Sequence, residues 1–124
     1  LSNRIRELSF LNPGIKIKLT DERVEPIQNF EFFSSGGIRE FVEYMNKSKQ
    51  KLHDHVIYLS HQKDLLGIEV ALQWNDSYAE TTSSYVNNIH TIEGGTHISG
   101  FRNALTRVLN KYIQESGLIK NVKE

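Results

Sequence analysis

The chain has 124 residues, with 15 Lys and Arg against 15 Asp and Glu, so its formal net charge is zero. A hydrophobic fraction of 38% and a charged fraction of 24% fit one folded domain with a modest core. The balanced charge gives no overall nucleic-acid signal, and the absence of cysteine excludes disulfides and thiolate chemistry. No run approaches the ~20 apolar residues of a membrane span or forms a signal peptide, so we expect a cytoplasmic location and no contact with a membrane.

The first half of the chain predicts two helices and two strands. Apolar residues at three-residue spacing predict a first helix that ends at Asn12-Pro13-Gly14. The alternating segments 15–21 and 28–33 predict strands. Segment 38–49 predicts a helix with one apolar stripe, formed by Ile38, Phe41, Val42 and Met45.

The second half predicts further strands and a long last helix. Alternation is clearest in 66–74, where we expect one buried face carrying Leu66, Ile68, Val70, Leu72 and Trp74. The turn residues 75–77 predict a hairpin into 78–91. The last helix has a predicted core stripe of Ile98, Phe101, Leu105, Val108, Leu109 and Tyr112. Mostly antiparallel strands covered on one face by helices predict a two-layer α+β fold.

The turn before the last helix has three interpretations: a phosphate cradle, a catalytic turn or a cap. Gly94 and Gly95 suit a turn, and Thr96 is a good N-cap residue. A phosphate loop of the Walker type needs a lysine that does not follow Gly95. Local chemistry therefore favours capping, although the start of any helix can attract an anion.

No complete active site is visible in the sequence. His53 and His55 form the pair His-Asp-His, but no zinc motif accompanies it, and a hydrolase built on the histidines is a remote alternative. Glu69 and Glu93 could act as acid or base, yet solvated carboxylates are the common case. We predict no catalytic, cofactor or metal-binding residue in this chain.

The polar side of the last helix offers candidate phosphate contacts. Arg102, Thr106, Arg107 and Lys111 lie outside its predicted core stripe. An arginine fork suits phosphate oxygens, whereas the plain alternative is a solvated helix face.

Four long stretches resemble the B subunits of bacterial DNA gyrases, nearly end to end. They read "IRELSFLNPGIKIKLTDER", "GGIREFVEYMN", "GIEVALQWND" and "YVNNIHTIEGGTHISGFRNALTRVLNKY". The resemblance implies that residues 1–21 end an ATPase domain of the GHKL type. It also implies that residues 22–124 form most of a transducer domain with a fold like that of ribosomal protein S5.

The resemblance further implies a function. The whole enzyme would use ATP and Mg to supercoil DNA, with two B subunits and two gyrase A subunits in an A2B2 tetramer. The family's ATP-site residues would lie before Leu1 and after Glu124, so the chain alone should be inactive. Arg102 matches a family arginine that faces the cavity for the transported DNA. The alternatives are the ParE subunit of topoisomerase IV and a stand-alone S5-like nucleic-acid-binding module.

Overall fold

A computed structural model describes residues 1–117 as two compact units, which divide after residue 80. In chain order the elements are α1 (Ser2–Leu11), β1 (Ile17–Asp21), β2 (Gln28–Phe32), α2 (Ile38–Met45), β3 (Ile57–Lys63), β4 (Leu66–Leu72), β5 (Tyr85–Val86), β6 (Ile89–His90) and α3 (Thr96–Ser116). Helices and antiparallel strands confirm the predicted α+β class. The described strands form three two-stranded ladders where we expected a continuous sheet, because each strand pairs with its neighbour in sequence. Within residues 1–117, no helix combines the length and apolar character that crossing a bilayer requires.

The first helix ends where the sequence predicts. Asn12 closes it, with its side-chain amide donating to the Leu8 carbonyl oxygen at 2.9 Å. Gly14 then adopts a φ of 87°, which favours glycine, and its N–H donates to the Ser34 carbonyl oxygen at 2.8 Å. The turn leads into the β1–β2 ladder, which joins residues on both sides of the boundary predicted after residue 21. The division into domains 1–21 and 22–124 stays a prediction.

The core of residues 1–80 lies where α1, α2 and β2 meet. Phe32, Phe41 and Val42 are its buried hydrophobic side chains. The Phe10 ring of α1 lies 5.0 Å from the Phe41 ring, between centroids. Phe41 and Val42 belong to the predicted stripe of α2, which is confirmed at these two positions.

Helix α2 begins at a turn that surrounds a carboxylate. Glu40, in the first helical turn, accepts hydrogen bonds from the Gly36 N–H at 2.7 Å and from the hydroxyls of Ser34 and Ser35 at 2.9 and 3.1 Å. These bonds stabilise the charged form and lower the pKa of Glu40, with the Gly36 N–H as the largest cause. The Ser34 hydroxyl also accepts from the Gly37 N–H at 3.0 Å, which ties the turn to the helix start.

We expect Glu40→Ala to lower the free energy of unfolding by about 1–2 kcal/mol. The substitution removes the carboxylate that accepts three hydrogen bonds at the start of α2. Glu43→Ala, at an exposed position of the same helix, is the matched control and should change little. Since the folded pKa of Glu40 lies below the unfolded value of about 4.3, its contribution is present above that pH and is lost as the pH falls through the folded pKa. Urea unfolding at pH 7 and at pH 3 measures this, and an equal difference between wild type and variant at both pH values would contradict it.

Strands β3 and β4 form the longest ladder, from Ile57 opposite Leu72 to Lys63 opposite Leu66. The two-residue turn is Asp64-Leu65, and Asp64 adopts a φ of 53°, a conformation that Asp tolerates.

The hairpin predicted at residues 75–77 is wrong. Asn75 accepts from the Ser77 N–H at 2.9 Å in a local turn, and Asn75 also pairs with Lys51 in an isolated antiparallel bridge. No strand forms between Ser77 and Tyr85, so the segment after the turn does not supply the second strand of the predicted hairpin. Turn residues mark a change of direction, but they do not specify which segment pairs next.

The predicted buried face of β4 is also only partly correct. Leu66 and Ile68 are 64% and 51% exposed, and Trp74 lies beyond the end of β4 with 44% of its surface exposed. On the opposite face of the β3–β4 ladder lies Tyr58 of β3, which pairs with Ala71 of β4. The Tyr58 ring lies 4.3 Å from the guanidinium of Arg39 on α2. The alternation of apolar and polar residues therefore identified the two faces of β4, but it did not show which of them a helix covers.

Because Trp74 is half exposed, we expect Trp74→Ala to cost about 1–2 kcal/mol, well below the ~3–5 kcal/mol of a fully buried aromatic. Urea unfolding measures the cost. Trp74 is the single tryptophan, so the emission of the folded chain should be that of a partly hydrated indole. A strongly blue-shifted emission together with a large loss of stability would support the original prediction of full burial.

Residues 81–117 form a short hairpin followed by the long helix. Strands β5 and β6 connect through Asn87 and Asn88, which both have positive φ, 48° and 66°, as a type I′ turn requires. No residue of α3 is buried, which corrects the predicted core stripe. Val108 and Tyr112 are 60% and 59% exposed, because this unit offers the helix only a hairpin of two-residue strands.

Candidate nucleic-acid interface

The start of α3 differs by one residue from the prediction. Gly95 is the N-cap residue and Thr96 is already helical, with no hydrogen bond from a side chain to the helix start. The predicted Thr96 cap is therefore wrong. Gly94 makes the turn, with a φ of 80° and its N–H donating to the Thr91 carbonyl oxygen at 3.0 Å. The glycine pair thus serves the turn, as predicted.

A cavity of about 310 Å³ lies beside this helix start. Its polar lining includes Ser84, His90, Thr91, Glu93, Ser99 and Arg102. The hydroxyls of Ser84 and Thr91 lie 2.6 Å apart, and the Thr91 hydroxyl donates to the Ser84 carbonyl oxygen at 2.9 Å. The sequence did not indicate Ser84, His90 or Thr91, because their approach to the helix depends on the β5–β6 hairpin.

The charges of the cavity are mixed. The guanidinium of Arg102 and the N-terminus of α3 favour an anion, whereas the carboxylate of Glu93 opposes one. Arg102 itself is exposed. The arrangement suits a contact with a phosphate that stays at the surface, rather than an enclosed phosphate site.

The four predicted DNA contacts do not share one face of α3, although all four are exposed. At about 100° per residue, Thr106 lies about 40° around the helix from Arg102, whereas Arg107 and Lys111 lie about 140° and 180° away. Lys111 also forms an ion pair with Glu115, with Nζ and Oε1 3.9 Å apart. A straight duplex on one side of the helix would therefore meet either Arg102 and Thr106 or Arg107 and Lys111.

The histidines and carboxylates considered as metal ligands or as acid–base groups form no metal site among residues 1–117. Across residues 1–117, no three His, Cys, Asp or Glu side chains come close enough to hold a metal ion. Glu69 accepts the hydroxyl of Tyr58 and thereby raises the pKa of that phenol.

The backbone resembles solved ATPase regions of bacterial gyrases. It superposes on the crystal structure of the 43K ATPase domain of Thermus thermophilus gyrase B in complex with an aminocoumarin, with a TM-score of 0.82 and 26% sequence identity. The match covers 98% of this chain and 33% of that one. The fold is thus one found within gyrase B ATPase regions.

The sequence agrees with the backbone. The family model DNA gyrase B matches residues 37–124, and the chain belongs to this family. The chain is similar to the DNA gyrase B protein of Staphylococcus epidermidis, at 50% identity over all 124 residues and 19% of that protein. It is 49% identical to the DNA gyrase B protein of Cytophaga hutchinsonii, over 99% of this chain and 27% of that protein. The predicted resemblance is confirmed, and the chain spans between a fifth and about a quarter of these relatives.

Proposed function

We propose that this chain is part of the ATPase subunit of a DNA gyrase, a type IIA topoisomerase that supercoils DNA with ATP. The observation that carries the proposal is the 50% identity to a gyrase B protein over the entire chain. Identity of this extent covers both compact units, so it does not reflect a shared fold alone.

In this proposal the chain acts mechanically. Residues 1–21 end the ATPase domain and residues 22–124 belong to the transducer, which biases the DNA-handling parts of the enzyme according to the state of the nucleotide. ATP and Mg bind elsewhere in the full-length protein. The partners are DNA, gyrase A in an A2B2 tetramer and a second copy of gyrase B on ATP-driven closure, in the cytoplasm.

Within the chain, we assign the DNA contact to Arg102, with Thr106 beside it. Arg102 is exposed near the positive end of α3 and lines the cavity at the helix start. Because the chain has no net charge, the contact would involve about one or two phosphates per subunit and would weaken strongly with salt. Arg107 and Lys111, on the other side of the helix, are the second candidate pair.

The test exchanges matching segments between enzymes. The chain replaces the matching segment of Staphylococcus epidermidis gyrase B in one recipient and that of a topoisomerase IV ParE protein in another. Each recipient is assembled with its partner protein and ATP. We expect retained supercoiling in the first and lost decatenation in the second. The opposite pattern would identify a topoisomerase IV segment. Loss of both activities, together with nucleic-acid binding by the chain itself, would identify a stand-alone module.

A further inference from the structure

Beyond Leu72, where β4 ends, the chain pairs briefly with a second partner, the segment that follows α2. The Leu52 N–H donates to the Trp74 carbonyl oxygen at 3.0 Å, and Lys51 lies opposite Asn75. The β3–β4 ladder starts again at Ile57 opposite Leu72. The five residues 52–56 therefore lie opposite only residues 73 and 74, which makes a large special bulge between the two paired regions.

The side chain of His53 closes this bulge. Its Nδ1 lies 2.7 Å from the His55 carbonyl oxygen, and its Nε2 lies 3.0 Å from the Trp74 backbone nitrogen. A carbonyl oxygen only accepts and a backbone N–H only donates, so Nδ1 carries the hydrogen and Nε2 presents its lone pair. The imidazole thus supplies the acceptor that a regular ladder would have supplied to Trp74.

The surroundings of the ring are fixed by uncharged groups. The side-chain amide of Gln73 donates to the His53 carbonyl oxygen at 2.7 Å and accepts from the amide of Asn46 at 2.8 Å. Asn46, at the end of α2, is buried and also accepts from the amide of Asn75 at 2.8 Å. This network holds the backbone on both sides of the bulge.

The titratable side chains on the two segments next to the bulge form no hydrogen bond with the ring among those of the described residues. They are Lys51, Asp54 and His55 on the same segment and Asp76 on the opposing one, and α2 presents the neutral Asn46. The Asp76 carboxylate accepts from the Gln50 N–H at 3.3 Å. None of these groups offers Trp74 a replacement acceptor among the hydrogen bonds of the described residues.

We propose that the His53 ring acts as a pH-sensitive clasp across the bulge. The clasp consists of two hydrogen bonds, from Nδ1–H to the His55 carbonyl oxygen and from the Trp74 N–H to Nε2. A second proton on the ring binds Nε2, so that two hydrogen-bond donors, Nε2–H and the Trp74 N–H, then face each other. One donor has to move, so the Trp74 N–H loses its acceptor. The bond from Nδ1–H to the His55 oxygen persists and strengthens, because a charged donor binds a carbonyl oxygen more tightly. Protonation of the ring thus opens the Trp74 side of the clasp and leaves the His55 side closed.

Hydrogen exchange of the Trp74 amide tests the proposal in the 124-residue chain. Protection, expressed relative to the intrinsic rate at each pH, should fall about fivefold to tenfold between pH 7.5 and pH 5, as expected for the loss of one hydrogen bond. The Leu52 amide, which bonds the Trp74 oxygen in the same bridge, should keep its protection.

Two variants separate His53 from its neighbours. In His53→Ala, protection of the Trp74 amide should be low at both pH values and should not change between them. His55→Gln is the matched control, because His55 contributes its backbone oxygen to the clasp, and its pH response should match that of the wild type. Constant protection in the wild type, a parallel fall at Leu52, or a response that survives in His53→Ala would each overturn the proposal.

Discussion

Replacing Arg102 by Gln in the full-length protein is expected to leave folding and basal ATP hydrolysis nearly unchanged, while supercoiling and the stimulation of ATPase by DNA fall by about tenfold. The physical reason is the loss of one charge-assisted hydrogen bond to a phosphate of the transported duplex. Such a bond contributes about 1.5 kcal/mol or more, which corresponds to about a tenfold effect. Arg102 is exposed beside the start of α3, so its removal opens no buried cavity. Supercoiling assays, ATPase with and without DNA, and the melting temperature measure the three quantities.

The matched control is Arg23→Gln, another exposed arginine, whose guanidinium pairs with Asp21 at 2.8 Å in the other compact unit. It should leave DNA stimulation unchanged. A lower melting temperature of Arg102→Gln with normal DNA coupling would show that Arg102 has a structural role only. If Lys111→Gln instead weakened DNA coupling, the opposite side of α3 would be the side that faces the duplex.

The 124-residue chain by itself is expected neither to bind nor to hydrolyse ATP. Its sequence contains no phosphate loop, and residues 1–117 bring together no group of acids and histidines for a metal. Calorimetry with Mg-ATP should show no binding, and phosphate release should stay at the level of buffer. ATP turnover that disappears in Glu69→Gln or Glu93→Gln would contradict the prediction. Glu43→Gln, at an exposed position of α2, is the control for a contaminating ATPase.

Local signals in the sequence predicted the elements of this chain well. Pro13 and Gly14 marked the end of α1, and the apolar stripe of α2 correctly identified Phe41 and Val42 as buried. Such signals act within one turn or one strand, so no tertiary information is needed. The last helix was predicted for the same reason, with an error of one residue at Thr96.

Pairing and burial were predicted less well, because they depend on distant segments. Trp74 follows the alternation of β4, yet it lies beyond the strand against His53, with 5.8 Å between the ring centroids. The hairpin turn lies at Asp64 rather than at Asn75, since both residues suit turns and only the register decides between them.

The candidate site shows the same limit. Arg102 was identified from its place on the helix and from the family resemblance, whereas the surrounding Ser84 and Thr91 come from another part of the chain. The sequence also grouped Arg107 and Lys111 with Arg102, because all three avoid the apolar stripe. Helical geometry separates them onto different sides.

We proposed that this chain couples ATP to strand passage, and its exchange into the Staphylococcus epidermidis gyrase B protein is the decisive experiment for that proposal. Supercoiling rate and DNA-stimulated ATPase are measured side by side in proteins that carry either this chain or the matching Cytophaga hutchinsonii segment, a gyrase B segment that is 49% identical to it. We expect both exchanged proteins to supercoil DNA and the ATPase of both to remain stimulated by DNA. Full coupling with the Cytophaga segment, but ATP hydrolysis without supercoiling or DNA stimulation with this chain, would contradict it.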